Sequence, residues 1–353
     1  MVDFNDFNVV RKPLPYDDSS DLVSVEFNDP LLNNFNVTII KDSISSGDFH
    51  AGEGNRLVTL IGRFPRSILS EVNTHRVFSR NSASSRARSI KVTIKDVLET
   101  PYIPVFTKNI KGMSGPFVDA ETQERATKSW LDARDQAVYF TLKLLLGDVL
   151  PASLTVREVL DDVDHWVDLY VNEIYTAEVP LSGGLNIHKQ DVNRILEPFM
   201  WHEAVISSTY WENFLQLRTD EEAAHPATLG FAKLVEAALR ESTPVERDYH
   251  LPFISDSRIP AEFNGFSGVR DLFLLASTEA AQISYKDKLK SSSSASTALG
   301  ERLLKMKHLS PFEHVAINRS FYDENFDDSL PHGDALKSNF SDDWVQLRHV
   351  LAD

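Results

Sequence analysis

Residues 57–88 read LVTLIGRFPRSILSEVNTHRVFSRNSASSRAR, and this stretch decides how the rest of the chain is interpreted. The apolar run Leu57–Ile61 predicts a buried strand, and Pro65 is well placed to begin a helix. Apolar residues then recur at helical spacing. The helix is therefore expected to bring the pair His75-Arg76 near its C-terminal end.

The same stretch concentrates positive charge in an acidic chain. Between Arg63 and Arg88 it holds several arginines and a single carboxylate, Glu71, whereas the whole chain carries a net charge of −16. A Ser-rich loop is predicted over 80–87. Guanidinium forks and hydroxyls match phosphate oxygens in geometry and charge, so a small anion is expected to bind here. Taken alone, the segment also fits a solvated Ser/Arg loop that is phosphorylated or bound to RNA.

Composition narrows the class of protein. The chain has 353 residues, of which 42% are apolar, enough for one domain with insertions or for two domains. Its negative charge disfavours wrapping of duplex DNA. No cysteine occurs, which excludes disulfides, thiolate metal sites and a cysteine nucleophile. No metal site is expected from the eleven scattered histidines. Neither a signal peptide nor a membrane span is recognised, so a soluble intracellular protein is expected.

Periodicity predicts helices along most of the remaining chain. The helix at 122–147 is expected to bury a face that includes Trp130 and Phe140. Further helices are predicted over 155–175, 189–200, 202–218, 226–240 and 269–282, and a strand over 315–318.

Five segments together resemble one known family. His75-Arg76, followed by Ser84 and Arg86, looks like the signature of flavin-dependent thymidylate synthases, in which Arg-His-Arg precedes a Ser-x-Arg phosphate loop. The other segments similar to that family are Asn193–Pro198, Trp211–Arg218, Ala280–Tyr285 and Ser310–His314. In the short bacterial enzymes the last two precede the Arg-His-Arg helix, whereas here they follow it. This permuted order resembles the longer members associated with bacteriophages.

The resemblance implies an α+β fold with a central, mainly antiparallel sheet flanked by long helices. It implies an N-terminal arm over residues 1–55 and a flavin-dependent thymidylate synthase-like domain over 56–353, with a helical insertion at about 148–187. A homotetramer with active sites shared between subunits is expected, without a membrane or nucleic-acid partner. The expected location is the cytoplasm, that of the host if a phage encodes the chain.

The implied activity is FAD-dependent transfer of a one-carbon unit from methylenetetrahydrofolate to carbon five of dUMP, giving dTMP, with NADPH reducing the flavin. Arg218 would face the pyrimidine ring and His75 would lie against the flavin, as the catalytic residues. The residues implied to bind substrate are Glu71, Thr74, Ser82, Ala83, Ser84, Ser85, Arg86, Arg194 and Arg218. The residues implied to bind FAD are His75, Arg76, Asn213, Ser284, His308, Ser310 and Glu313.

Departures from the family pattern gather near the expected pyrimidine. Thr74 stands where the family has the first Arg, Glu71 where it has Gln, Ser82 where it has Glu, and Gln282 where it has Arg. Hydroxymethylation of dUMP, and methylation or hydroxymethylation of dCMP, are therefore alternatives. A non-catalytic flavin- or nucleotide-binding protein is a second alternative. Because the chain has no thiol to add to the ring, modification at carbon five would need non-covalent activation or the reduced flavin.

Substitution of Arg86 by Ala is expected to raise the Michaelis constant for the nucleotide roughly 10- to 100-fold, because one charge-assisted contact to phosphate is lost. Steady-state kinetics would measure this change, and the flavin absorbance of the purified variant should stay as in the parent protein. An unchanged Michaelis constant would contradict the phosphate assignment.

Overall fold

The computed structural model describes residues 2–14, 17–45, 55–84, 88–111, 115–175, 183–185, 187–260, 265–284, 293–326, 330–331 and 336–351. The strands, in chain order, are β1 (Phe7–Leu14), β2 (Asp17–Phe27), β3 (Asn36–Ser45), β4 (Arg56–Pro65), β5 (Ser79–Ser82), β6 (Trp201–Ser208), β7 (Val245–Arg247), β8 (Tyr249–His250), β9 (Ala316–Asn318) and β10 (Trp344–Gln346).

The helices are α1 (Leu69–Asn73), α2 (Ile90–Glu99), α3 (Ala120–Leu146), α4 (Val156–Asp161), α5 (Val163–Leu169), α6 (Lys189–Val192), α7 (Glu212–Arg218), α8 (Pro226–Glu241), α9 (Phe266–Ala281), α10 (Ser293–Lys305), α11 (Arg319–Asn325) and α12 (Leu347–Leu351). Short 3₁₀ segments cover Arg66–Ile68, Asn193–Phe199, Gln282–Ser284 and Ser310–Glu313, and Tyr170–Tyr175 forms a π-helical turn. Among the residues described, no helix has both the length and the apolar character needed to span a membrane.

Two sheets organise the strands. The larger has the order β1-β2-β3-β4-β6-β5, and β7 pairs in parallel with β3. The pairs β1–β2, β2–β3, β3–β4 and β5–β6 are antiparallel. A smaller antiparallel sheet has the order β10-β9-β8. These sheets, together with the long helices α3, α8 and α9, confirm the expected α+β class with a mainly antiparallel sheet.

The chain divides into two compact units. The first unit comprises Met1–Val2, Pro65–Leu69 and Ser84–His202, and the second comprises Asp3–Phe64, Ser70–Ala83 and Glu203–Asp353. The expected boundaries, an arm over 1–55 and an insertion at about 148–187, stay predictions. In the structure, residues between Phe7 and Ser45 form three strands of the larger sheet.

Helix α8 packs on one face of the larger sheet in the second unit. Pro226 occupies its first turn, and Nδ1 of His225 accepts a hydrogen bond from the Ala227 amide at 3.2 Å, so the helix begins as the sequence predicts. Phe231 is 1% exposed, and its ring centroid lies 4.6 Å from that of Phe64. A Cβ added at Gly62 would lie 2.6 Å from the Phe231 ring, so this close approach requires glycine.

The opposite face of the larger sheet carries a chain of buried hydroxyls and imidazoles, here called the imidazole chain. Oγ1 of Thr59 lies 2.5 Å from Oγ of Ser207 and 2.7 Å from Nε2 of His250. Nδ1 of His250 lies 2.8 Å from Oγ of Ser43, and Oγ of Ser207 lies 2.8 Å from Nδ1 of His314. Burial lowers the pKa of His314 to about 3 and, with nearby cations, lowers that of His250 well below its ordinary value. Both rings are therefore neutral at physiological pH.

Helix α3 dominates the first unit. Oδ1 of Asp119 accepts a hydrogen bond from the Thr122 amide at 2.8 Å and caps its start, and Gly147, with φ of 57°, ends it. The helix over 122–147 is thus confirmed, but the predicted buried face is wrong at Phe140, which is 53% exposed. The buried stripe of the C-terminal half instead follows Val138, Thr141, Leu142, Leu145 and Leu146.

Three other sequence predictions are wrong in part. Residues 202–208 belong to strand β6 rather than to a helix, and only Glu212–Arg218 is helical. The predicted helix over 155–175 breaks at Asp162, whose φ of −122° departs from the helical value. Arg80–Ser82 lies in β5, paired with β6, rather than in a loop. The helix over 226–240 and a strand near 315–318 are confirmed.

Substitution of Phe231 by Ala is expected to lower the free energy of unfolding by about 3–5 kcal/mol, because it removes a buried ring between α8 and the sheet. Urea unfolding followed by circular dichroism would measure the loss. The matched control is Phe140→Ala on the exposed face of α3, for which a change within about 0.5 kcal/mol is expected. Equal losses in the two variants would contradict the packing described above.

Candidate functional site

A contact between two distant segments forms the centre of the site in the second unit. The turn after α1 supplies Thr74 and His75, and the last residue of α7 is Arg218. Nε of Arg218 donates to Nε2 of His75 at 3.2 Å, and Nη2 of Arg218 donates to Oγ1 of Thr74 at 3.1 Å. His75 and Arg218 are 143 positions apart in the chain, so the fold alone brings them together.

Two guanidinium groups act on the His75 ring. Burial lowers the pKa of His75, and the positive charges of Arg218 and Arg80 lower it further. The ring is therefore neutral, and since Nε2 accepts from Arg218, the hydrogen-bond pattern assigns the ring proton to Nδ1. Nη1 of Arg80 donates to the Val72 carbonyl at 3.3 Å. Thr74, His75, Arg80 and Arg218 are called the Arg218–His75 cluster below.

Aromatic side chains fix the orientation of the imidazole. The His75 ring meets Phe214 of α7 edge to face, with ring centroids 5.1 Å apart at an interplanar angle of 87°. It also packs against Phe78 at 5.7 Å, and Phe78 packs in turn against Trp211 at 4.8 Å. These contacts leave the ring 7% exposed and hold its Nε2 toward Arg218.

A third segment reaches the cluster through Glu313. Burial lowers the pKa of the Arg80 guanidinium, and the Glu313 carboxylate opposes that shift, so the two charges lie within electrostatic reach. Glu313 forms an ion pair with Arg348 of α12, and its carbonyl accepts from Nε2 of Gln346 at 2.9 Å. Gln346 also donates to Oγ of Ser79 at 3.0 Å. The C-terminal residues therefore tie the Ser310–His314 segment to β5.

The sequence interpretation did not assign Arg80, Gln346 or Arg348 to the site. Arg80 lies four residues after Arg76 in the same arginine-rich segment, and this position could have indicated that it belongs to the site. Gln346 and Arg348 lie outside all five family-like segments. Their contacts depend on the fold and leave no local pattern in the sequence.

Several predicted FAD-binding residues present polar groups to solvent. Arg76, Asn213, His308 and Ser310 are exposed, and their side chains have no hydrogen-bond or ion-pair partner within the described part of the chain. Ser284 ends the short 3₁₀ turn Gln282–Ser284, and its side chain lies outside what the structure describes.

The predicted substrate residues are divided between the units. Oε2 of Glu71 accepts from Ser70 at 3.0 Å, and its charge acts on His225 to oppose the lowering of that ring's pKa by burial. Ser82 ends β5, and the Ala83 amide donates to the Glu203 carbonyl at 2.9 Å. Ser84 and Arg194 belong to the first unit, where both are exposed. Ser85 and Arg86 lie outside the described residues.

The first unit contains a second basic feature. Nη1 of Arg66 lies 3.0 Å from Nδ1 of His202, and Nη2 of Arg66 donates to Glu197 at 3.3 Å. Burial and the charges of Arg66 and Arg88 lower the pKa of His202 to about 3, so this ring is neutral too. Arg88 forms an ion pair with Asp96 of α2.

Comparisons with known proteins find similarity to solved structures but to no family model and no curated protein. No family model matches the chain. No curated protein matches it either. Among solved structures, the chain is similar to a UMP/dUMP methylase, PolB from Streptomyces cacaoi, determined with 5-Br UMP bound. The TM-score is 0.36 and the sequence identity 14%, with 58% of this chain and 88% of that chain covered. A likeness at this level does not extend to site or activity.

Substitution of Arg218 by Gln is expected to raise the pKa of His75, because it removes one of the two positive charges that disfavour the imidazolium. Nuclear magnetic resonance titration of the imidazole proton signals would measure the shift. Arg218→Lys retains the charge and should move the pKa less. A pKa that is unchanged or lower in Arg218→Gln would contradict the geometry.

Proposed function

We propose that this chain transfers a one-carbon unit from methylenetetrahydrofolate to carbon five of a pyrimidine deoxynucleotide with FAD as cofactor, most simply dUMP to dTMP. The supporting observation is the meeting of three family-like segments in the second unit: Arg218 contacts Thr74 and His75, and Glu313 acts on Arg80 beside them. These segments lie far apart in sequence. Their convergence is what a site built from several motifs requires.

The chemistry of the exposed donors suits a flavin dinucleotide. Arg76 can pair with a phosphate, while Asn213 and Ser310 offer groups that match ring carbonyls and hydroxyls. All three side chains lack partners within the described chain and lie in segments that join the Arg218–His75 cluster. When bound, FAD would supply the hydride that converts the transferred carbon to a methyl group, after reduction by NADPH.

Arg218 would act on the pyrimidine by electrostatics. Its guanidinium is held by Thr74 and by a neutral imidazole, and no carboxylate in the described part of the chain pairs with it, so the positive charge is fixed in place. A fixed cation beside the ring carbonyls stabilises negative charge spread onto their oxygens, and this makes carbon five nucleophilic. The chain has no cysteine for covalent activation, which agrees with this route.

The proposal also covers the phosphate-binding residues, the oligomeric state and the alternative substrates. Ser84, Ser85, Arg86 and Arg194 would hold the nucleotide phosphate, and a homotetramer would assemble complete active sites. The departures at Glu71 and Thr74 keep hydroxymethylation of dUMP, and methylation or hydroxymethylation of dCMP, within the proposal, since both residues would face the base.

A product assay tests the activity. Purified protein incubated with dUMP or dCMP, methylenetetrahydrofolate, FAD and NADPH should add a methyl or hydroxymethyl group to one nucleotide, as read by mass spectrometry. The protein should also purify with a flavin absorption band that NADPH bleaches. Flavin uptake without any mass gain on either nucleotide would instead identify a non-catalytic flavin-binding protein.

Substitution of Arg218 by Ala is expected to lower kcat by roughly 10²- to 10³-fold, with a smaller change in KM, because the group stabilises charge that develops in the transition state. The matched control is Arg157→Ala on α4, where the side chain is 91% exposed and kcat should be unchanged. A rise in KM alone would assign Arg218 to ground-state binding and refute the role proposed here.

A further inference from the structure

A cavity of about 520 Å³ lies in the second unit, outside the Arg218–His75 cluster. Its floor includes Ile61 and Arg63 of β4, which lie on the same sheet face as Thr59 because side chains alternate along a strand. Glu26, Asn36 and Arg63 are direct neighbours across β2, β3 and β4. They form a polar row across three strands of the cavity floor.

The residues that line this cavity include more carboxylates than cations. Arg63 is already engaged, since its Nη1 donates to Oε1 of Glu203 at 3.4 Å. Two other carboxylates line the cavity, Glu26 and Glu279, and neither has a hydrogen bond or an ion pair to any described residue. Glu26 is exposed, whereas Oε2 of Glu279 is buried without a partner.

Glu279 is the least satisfied of these groups. Burial raises its pKa, and Arg258 opposes that shift without coming close enough to form an ion pair. Glu279 also lies in the last turn of α9, where the helix dipole is negative and disfavours a carboxylate. A positive group beside Oε2 would relieve both effects.

The remaining walls favour a ligand with an apolar part. Phe253 and Ile283 add apolar surface, and Phe253 holds a left-handed backbone conformation with φ of 67° that bulky residues rarely adopt. An aromatic face can contact a cation or its aliphatic stem. With Glu203 paired to Arg63, the two remaining carboxylates, Glu26 and Glu279, would repel a phosphate. Within the described part of the chain, no group of three or more His, Asp or Glu side chains is placed to hold a metal ion.

We propose that this cavity binds a small organic cation, a guanidinium or primary ammonium compound, whose charged head pairs with Glu279 and whose aliphatic stem lies against Phe253. Asn36 and Glu26 would face the opposite end of such a ligand. This site goes beyond the proposed nucleotide chemistry: none of the Arg218–His75 cluster residues line the cavity, whereas Gln282 and Ile283, which do, precede the predicted FAD-binding residue Ser284.

Calorimetric titration of the full chain with agmatine, which carries a guanidinium at one end and an ammonium at the other, tests the proposal. The titration is run without nucleotide or flavin, so that its result is independent of the enzymatic activity. Agmatine is expected to bind, and Glu279→Gln should weaken the affinity roughly tenfold or more, since it removes one charge-assisted pair while keeping the shape of the side chain.

Two controls separate a built site from general attraction to an acidic protein. Glu324→Gln changes the net charge equally at an exposed position of α11 and should leave agmatine affinity unchanged. The neutral analogue n-butylurea should not bind. Absence of agmatine binding, equal weakening in both variants, or equal binding of n-butylurea would each overturn the proposal.

Discussion

The imidazole chain is the constraint on which the second unit depends. His250 and His314 are fully buried, and each imidazole must find its hydrogen bonds inside the protein. Thr59 supplies one to His250 of the smaller sheet, and Ser207 supplies one to Nδ1 of His314, from neighbouring strands of the larger sheet; Nε2 of His314 has no partner among the described residues. The hydrogen bonds from His250 of β8 to Thr59 of β4 and to Ser43 of β3 join the two sheets at defined positions. The polar chain therefore specifies how the layers meet, as apolar packing alone would not.

The imidazole of His75 in the Arg218–His75 cluster is neutral as well, but it has a different role. In the imidazole chain a neutral ring joins hydroxyls, whereas His75 accepts a hydrogen bond from the Arg218 guanidinium, which pairs with no carboxylate among the described residues. The aromatic packing of Phe214 and Phe78 keeps the ring in place. An arginine held by neutral partners is positioned to act on a ligand, whereas one paired with a carboxylate, such as Arg63, already has its counter-ion.

Long, strongly periodic segments of the fold could be predicted from the sequence, and shorter ones could not. The helix over 226–240 has a Pro start and a continuous apolar face, which are local signals. Residues 202–208 carry apolar residues that suit a strand or a helix, and pairing with β4 and β5 decides between them. At the site, motif resemblance identified His75 and Arg218 separately. Their contact, and the cavity lined by Glu279, depend on tertiary distances that no local pattern encodes.

Strand β4 contributes residues to the imidazole chain, to the cavity floor and to the contact with helix α8 in the second unit. Thr59 in the imidazole chain and Arg63 in the cavity floor lie on one face, and Gly62 meets Phe231 on the other. Insertion or deletion of a single residue between Thr59 and Gly62 would move each following side chain of β4 to the opposite face of the sheet. Arg63 would then point into the layer beneath α8, and a side chain would take the place of Gly62 against the Phe231 ring. Evolution can thus alter this strand by substitution, but a change in its length would disrupt both layers at once.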